Sequence, residues 1–170
     1  MGLSSEESFT EMFREQYPAV RAFAASLTSA VDVDDVVAET FAVAWRRRDD
    51  LPVEWVRGWL LGTARNVVRN DRRRGRRADR FVARLPWLQP TTPRDLAVDV
   101  AELDALRVAL ASLSEADQEV LVLAGWFELS PDELAVALGV TANAATVRLH
   151  RARTRLRDAA AQGSDDEVAS

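Results

Sequence analysis

Apolar residues recur three and four positions apart along almost the whole chain, which is the spacing of one face of a helix. Alternation with a period of two, bounded by Gly or Asn turns, does not occur. The pattern therefore predicts an all-α protein. Pro86, Pro90 and Pro93 interrupt it, because proline cannot continue a helix. We interpret residues 84–95 as a linker between two small helical domains.

The amino-terminal half predicts three helices. The first runs from about Glu7 to Leu27, the second begins at Asp32, a residue type that favours the N-cap, and the third runs from roughly Glu54 to Arg74. The second helix has two different faces. Its apolar face carries Val33, Val37, Thr40, Phe41 and Ala44, and its acidic, exposed face carries Asp35, Glu39, Ala42 and Arg46.

The third helix also separates an apolar stripe from a polar face. We expect Val56, Leu60, Ala64 and Val67 to be buried. On the other face, amides can bond base edges, arginines can neutralise phosphates, and a ring can stack on an unpaired base. Taken alone, this pattern fits a solvated charged face as well as it fits nucleic-acid binding. The polar face carries Trp59, Gly62, Asn66, Arg69, Asn70 and Arg73.

Residues 129–157 have the spacing of a DNA-binding helix-turn-helix. Ser130 and Glu133 form an S-x-x-E capping box, Gly139 makes the turn, and helical periodicity resumes from about Ala142. A plain helical hairpin needs no basic cluster, whereas this one carries five arginines, which can hold phosphates. The second helix turns Ala145, Leu149, Ala152 and Leu156 inward and Asn143, Thr146, Val147, His150 and Arg151 outward.

The charge of the chain is arranged in alternating blocks. The total is -5, yet residues 1–39 sum to -6, residues 65–84 to +7, residues 95–133 to -9 and residues 134–157 to +5. Blocks of opposite sign indicate at least two surfaces for a polyanion and at least one for a basic partner.

Composition argues against catalysis, cofactors and membrane insertion. The chain has no cysteine and only one histidine, His150, so thiolate metal sites and disulfides are excluded and a His-based metal centre is not expected. Glycine-rich phosphate loops and Ser/His/Asp sets do not occur. No apolar run reaches the roughly 20 residues that cross a bilayer. The first residues are polar and acidic, unlike a secretory signal, and we expect a cytoplasmic protein that is not an enzyme.

Three segments, in this order, resemble the bacterial sigma factors of the extracytoplasmic-function (ECF) class. VDDVVAETFAVAW resembles the family's A-E-D-x-x-Q-E-x-F-x-x-A-W, and WLLGTARNVVRNDRRR resembles its promoter-melting helix, which reads the -10 element. Residues 129–157 resemble the module that reads the -35 element. The chain departs from the family at Ala38, where glutamine is usual, and at residues 143–147, which replace the common G-T-V-K-S.

The resemblance implies a function and partners. The chain would direct promoter-specific transcription initiation by binding core RNA polymerase, the duplex -35 element and the melted -10 element. Its partners would be core RNA polymerase, promoter DNA and an anti-sigma factor. The domains would be a region 2-like domain at 5–77, a linker at 78–104, a region 4-like domain at 105–158 and a disordered acidic tail at 159–170.

The resemblance also implies the site residues. Two asparagines of the third helix would read or brace a flipped base, its tryptophan would support the strand fork, and its arginines would neutralise phosphates. The residues that would bind polymerase are Asp34, Asp35, Ala38, Glu39 and Ala42. Those that would bind the -10 strand are Trp59, Arg65, Asn66, Arg69, Asn70, Arg72 and Arg73. Those that would bind the -35 duplex are Asn143, Thr146, Arg148, His150, Arg151 and Arg153.

A free-standing helix-turn-helix regulator is the alternative. It explains residues 129–157 equally well, but it has no use for Trp59, Asn66 and Asn70 on a second basic helix, nor for an acidic face on residues 35–46. A pull-down with core polymerase separates the two hypotheses, because a repressor would bind duplex DNA alone and would not bind core.

Overall fold

A computed structural model of the chain describes residues 6–27, 32–73 and 100–168, all of them helical or in short connections. The prediction of an all-α protein is confirmed. Two 3-10 turns, Arg48–Asp50 and Val53–Trp55, connect the second and third helices. In the described ranges the α-helices are α1 (Glu6–Leu27), α2 (Val33–Arg46), α3 (Val56–Arg73), α4 (Val100–Ser112), α5 (Glu115–Gly125), α6 (Pro131–Leu138) and α7 (Ala142–Val168).

Helices α1, α2 and α3 form the amino-terminal domain, in which each helix packs against the other two. The apolar face predicted for α2 is buried as expected. Its one polar member, Thr40, is fully buried and donates its hydroxyl to the carbonyl of Val36 at 2.7 Å, so no polar group is left unpaired there. Asp32 precedes α2, but its side chain makes no capping hydrogen bond. Its backbone is already near-helical, at φ -103° and ψ -7°, whereas a capping residue is usually extended.

The buried stripe of α3 differs in part from the prediction. Leu60 and Ala64 are fully buried as expected, but Val56 and Val67 are half-buried. Leu61 is fully buried beside them. The helix has neighbours on more than one side, so its buried surface is wider than the single apolar stripe that the sequence predicts.

Helices α4 to α7 form the carboxyl-terminal domain, whose helix ends follow the sequence signals. Ser114 accepts a hydrogen bond from the backbone N–H of Asp117 at 3.2 Å. At α6 the reciprocal capping box is complete: Ser130 accepts from the N–H of Glu133 at 3.3 Å, and the Glu133 carboxylate accepts from the N–H of Ser130 at 2.9 Å. Gly139 ends α6 with φ at 66°, a left-handed conformation that favours glycine.

The tail expected to be disordered from residue 159 is instead helical, since α7 continues to Val168. Ala159, Ala160 and Ala161 have the highest helix propensity of any residue type, and no proline follows them. Gly163 costs about 1 kcal/mol relative to alanine, which does not end the helix. The proline-containing segment at 84–95 lies outside the described residues.

The two domains pack against each other, chiefly through α3 and α6. Gly58 and Gly62 of α3 are buried at this contact, although the helical wheel places Gly62 on the polar face. A helical wheel shows which residues share a side of the helix, but not whether a second domain covers that side. Phe23 of α1 and Phe127, which follows α5, also meet across the contact, with ring centroids 5.3 Å apart in an edge-to-face arrangement.

Candidate nucleic-acid interface

An open groove of about 910 Å³ lies between α2 and α3. Residues predicted to bind polymerase form one side of this groove, and residues predicted to bind the -10 strand form the other. Other residues that line it do not belong to the predicted site residues: Val43, Arg47, Thr63, Val67 and Asp71. The α2 side is formed by Asp35, Ala38, Glu39 and Ala42, and the α3 side includes Trp59, Asn66 and Asn70.

Asn66 and Asn70 lie one helical turn apart on the α3 side of the groove. Both side chains are exposed, and neither makes a hydrogen bond with another described residue. Each amide therefore offers a donor pair and an acceptor to a ligand in the groove. Trp59 is half-buried about two turns before Asn66, and its carbonyl accepts a hydrogen bond from the hydroxyl of Thr63 at 2.9 Å. Amides beside an indole ring can hydrogen-bond and stack an unpaired base.

Exposed ion pairs cover part of the acidic face of α2. Arg21 of α1 donates to Asp34, and this hydrogen bond, followed by the charge of the carboxylate, raises the pKa of Arg21. Arg46 donates to Glu39 at 3.0 Å along α2 itself. Exposed ion pairs such as these are weak, so either carboxylate can leave its arginine for a stronger cationic partner. The carboxylates therefore remain accessible to a basic surface.

The arginines of α3 do not share one environment. Arg65 donates to Glu119 of α5, and a terminal nitrogen of Arg69 lies 3.5 Å from the other oxygen of the same carboxylate. The Arg65 side chain is 11% exposed and the Glu119 side chain 6%. Arg73 is exposed. Arg72 lies on α3, but its side chain is outside the described residues.

Glu119 is a functional candidate that sequence reasoning missed. It lies in SEADQEVLVLAGWF, within an acidic block of the chain, where an acid on a helix is usually solvated. Only the contact between the two domains gives it two arginine partners, Arg65 and Arg69 of α3. No signal in the sequence points to that pairing.

The second helix of the helix-turn-helix, α7, has the outward face that its sequence predicts. Its inward residues Ala145 and Ala152 are fully buried. Thr141 caps the helix by accepting from the N–H of Ala144 at 3.2 Å, and Thr146 donates its hydroxyl to the carbonyl of Ala142 at 2.9 Å. The predicted -35 set is exposed at every position: Asn143, Thr146, Arg148, His150, Arg151 and Arg153.

Across 6–27, 32–73 and 100–168, no group of three or more His, Asp or Glu side chains is placed to hold a metal ion. None of the described helices combines the length and the apolar character needed to span a bilayer.

Comparison with known families identifies both domains. The family described as Sigma-70 region 2 matches residues 12–78, and the family described as Sigma-70, region 4 matches residues 103–156. The two matches contain the groove between α2 and α3 and the helix-turn-helix respectively.

Curated relatives and solved structures agree with these matches. The RNA polymerase sigma factor NccH of Alcaligenes xylosoxydans xylosoxydans is 34% identical over 134 residues, which cover 74% of this chain and 71% of NccH. The ECF RNA polymerase sigma factor EcfG of Rhodopseudomonas palustris is 33% identical over 145 residues, covering 82% of this chain and 77% of EcfG.

Among solved structures, CnrH in complex with the cytosolic domain of CnrY matches with a TM-score of 0.62 and 27% identity, over 91% of this chain and 88% of CnrH. The sigma factor RpoE, in its complex with the anti-sigma factor NepR from Bartonella quintana, gives a TM-score of 0.62 and 26% identity over 90% of this chain and 96% of RpoE. Since the family matches, the sequence relatives and the fold all agree, the chain belongs to the ECF class of RNA polymerase sigma factors and directs promoter-specific initiation of transcription.

Proposed function

We propose that the groove between α2 and α3 is where this sigma factor joins core polymerase to the melted -10 strand. The observation that carries the proposal is the groove itself, which has carboxylates on one wall and unpaired amides beside a tryptophan on the other. The acidic wall, with Asp35, Ala38, Glu39 and Ala42, and the neighbouring Asp34 suit a basic surface on polymerase, because complementary charge speeds encounter and fixes orientation.

The α3 wall captures bases. Asn66 and Asn70 read or brace a flipped base, Trp59 supports the fork, and Arg65, Arg69, Arg72 and Arg73 neutralise phosphates. Stacking contributes about 1 to 3 kcal/mol per base, so a few captured bases compete with the duplex they leave. Capture in this groove converts a transient opening of the promoter into a stable bubble.

The -35 duplex is bound by α7. The N-terminal half of such a helix enters the major groove, where Thr146, Arg148 and Arg151 are the proposed readers of base edges. Asn143, His150 and Arg153 lie on the same exposed surface and contact bases or the flanking phosphates.

We assign residues 5–77 to polymerase and -10 binding, 105–158 to -35 binding, and 78–104 to the linker between them. The chain acts in the cytoplasm, without a cofactor and without catalytic residues, since polymerase supplies the chemistry. RpoE is solved in complex with an anti-sigma factor, and we propose that an anti-sigma protein also regulates this chain.

Transcription in vitro tests the proposal. Purified chain is mixed with its cognate core polymerase and a randomised promoter pool, and the transcribed templates are sequenced. Selective initiation at a shared pair of elements is expected from the wild type, and an N66A/N70A variant should retain core binding while losing open complexes. If the variant initiates as efficiently as the wild type, the groove is not the base-capture site.

A further inference from the structure

Val147 lies at the centre of the outward face of α7. Two positions along a helix correspond to roughly 200° around its axis. Val147 is two residues from both Ala145 and Leu149, so it points to the opposite side of α7 from them. Ala145 is fully buried and Leu149 packs against the core, whereas Val147 is 39% exposed. An apolar side chain therefore faces solvent on the surface proposed to enter the major groove.

Polar side chains surround Val147 on this face. Asn143 lies one turn before it, and His150 and Arg151 lie one turn after it. All three are exposed, and each carries hydrogen-bonding groups that suit base edges or phosphates. The face therefore combines an apolar centre with polar surroundings.

The threonine next to Val147 has already used its donor. The Thr146 hydroxyl donates to the carbonyl of Ala142 at 2.9 Å, as the Thr154 hydroxyl does to the carbonyl of His150 at 3.1 Å. A hydroxyl has a single proton, so neither threonine can donate to a base in this arrangement. Thr146 can contact a base only as an acceptor or through its methyl group.

The chain itself gives no reason for a valine at this position. A β-branched side chain loses rotamer freedom in a helix, so helix stability does not favour it. Packing in the core does not account for it either, because the side chain is exposed. The family pattern G-T-V-K-S has serine where this chain has Val147. A contact with a molecule outside the chain explains the apolar residue.

An isopropyl group can distinguish thymine from cytosine in the major groove. Thymine presents its C5 methyl group there, whereas cytosine presents an amino donor. Contact between Val147 and the methyl group removes apolar surface of both from water, which is favourable. The same contact with a cytosine would cover the amino group without giving it a hydrogen-bond partner, which is unfavourable. The side chain therefore favours one pyrimidine and opposes the other.

We propose that Val147 is a specificity-determining residue of the -35 contact and selects a thymine by packing against its C5 methyl group. The inference rests on the proposed function, because it requires α7 to lie in the major groove of the -35 duplex. Asn143, His150 and Arg151 then contact the base pairs and phosphates on either side of this thymine.

Substitution of deoxyuridine for thymidine tests the contact, because the uracil base pairs like thymine and lacks only the C5 methyl group. The -35 element comes from the randomised promoter pool, and each thymine of either strand is replaced in turn. The complex of core polymerase with the full-length wild-type chain should bind one of these promoters about 3- to 5-fold more weakly, as expected for one lost methyl contact. With V147A, the substituted and unsubstituted promoters should bind equally well.

Two variants serve as controls. V108A removes another exposed valine, on α4 and outside the proposed DNA surface, and should keep the full dependence on the methyl group. T146A removes the neighbouring methyl group on α7 and should keep it as well. Circular dichroism checks the fold of each variant, and V147A should stay helical because alanine has the higher helix propensity.

Three results would overturn the proposal: a selected -35 element without thymine, wild-type binding that no deoxyuridine weakens, or a dependence on the methyl group that V147A retains. Loss of that dependence in T146A alone would assign the contact to Thr146 instead. Failure of the proposed function looks different, since the promoter pool would then yield no shared -35 element.

Discussion

One terminal nitrogen of Arg155 donates to both carboxylate oxygens of Asp117, at 2.8 and 2.9 Å, which ties α7 to α5. The Asp117 side chain is only 14% exposed, so this arginine is held in place. Arg148 and Arg151 lie earlier on the same helix, and neither makes a hydrogen bond with another described residue. The arginines of α7 are therefore not equivalent, although the sequence presents them as one basic cluster.

This difference predicts the salt dependence of DNA binding. R148A and R151A should each lower the slope of log affinity against log salt by roughly 0.9, because each removes one cation that displaces a counterion from the DNA. R155A is the matched control, and its slope should stay near the wild-type value because its charge is already paired. Titration of duplex promoter DNA at several salt concentrations measures all three. A slope that R148A and R151A leave unchanged would mean that neither side chain lies in the interface with DNA.

Loss of the two groove amides should impair promoter melting. In N66A/N70A we expect about 10-fold fewer open complexes, since contacts to an unpaired base contribute about 1 to 3 kcal/mol. Permanganate footprinting of the promoter measures the opening, and a pull-down measures core binding, which should not change. N143A on α7 serves as the comparison, because it should weaken duplex binding without lowering the open fraction of bound promoter.

Reversal of charge on α2 should weaken binding to core polymerase. D35R/E39R places like charges against a basic surface, and we expect at least about 10-fold lower affinity, greatest at low salt. E11R is the control, because Glu11 is an exposed acid on α1 outside the proposed surface. Equal affinity of D35R/E39R and wild type would reject the acidic wall as the polymerase contact.

Two Gly-to-Ala substitutions should shift stability in opposite directions. G139A forces a β-carbon into a left-handed backbone at φ 66°, and we expect it to lower the free energy of unfolding by about 1 to 2 kcal/mol. G125A lies in the last turn of α5, where the methyl meets no atom within 4 Å. It should raise the free energy of unfolding by about 0.4 to 1 kcal/mol. Urea unfolding followed by circular dichroism gives both values.

Features encoded by neighbouring residues could be predicted from the sequence. The capping box of Ser130 and Glu133, the turn at Gly139 and the inward alanines of α7 each depend on residues a few positions apart. Local hydrogen bonding and sterics decide them, so the pattern alone is sufficient. The faces of α2 were predictable for the same reason.

Features that depend on packing between distant segments could not be predicted in this way. The pairing of Arg65 with Glu119 joins residues 54 positions apart, and nothing local distinguishes either from a solvated charge. The burial of Gly62 has the same origin, since it requires a helix from the other domain. The sequence predicts each wall of the groove separately. Only the packing of α2 on α3 shows that the two walls face each other.

In the carboxyl-terminal tail, the helix propensity of a few residues outweighs the acidic, polar composition. Acidic, polar residues near a terminus favour fraying, yet the alanines from Ala159 to Ala161 continue α7 without a break. Helix propensity over several residues prevailed over the general tendency of termini.

The two glycines on α3 limit how this protein can be recombined with its relatives. Consider a chimera whose amino-terminal half comes from a sigma factor with bulkier residues at positions 58 and 62. Its α3 could not pack closely against the native α6, even if both halves fold. Conversely, variation at Ala137 toward larger side chains should be tolerated only with compensating change on α3. The two halves of the molecule are therefore fitted to each other at the backbones of α3 and α6.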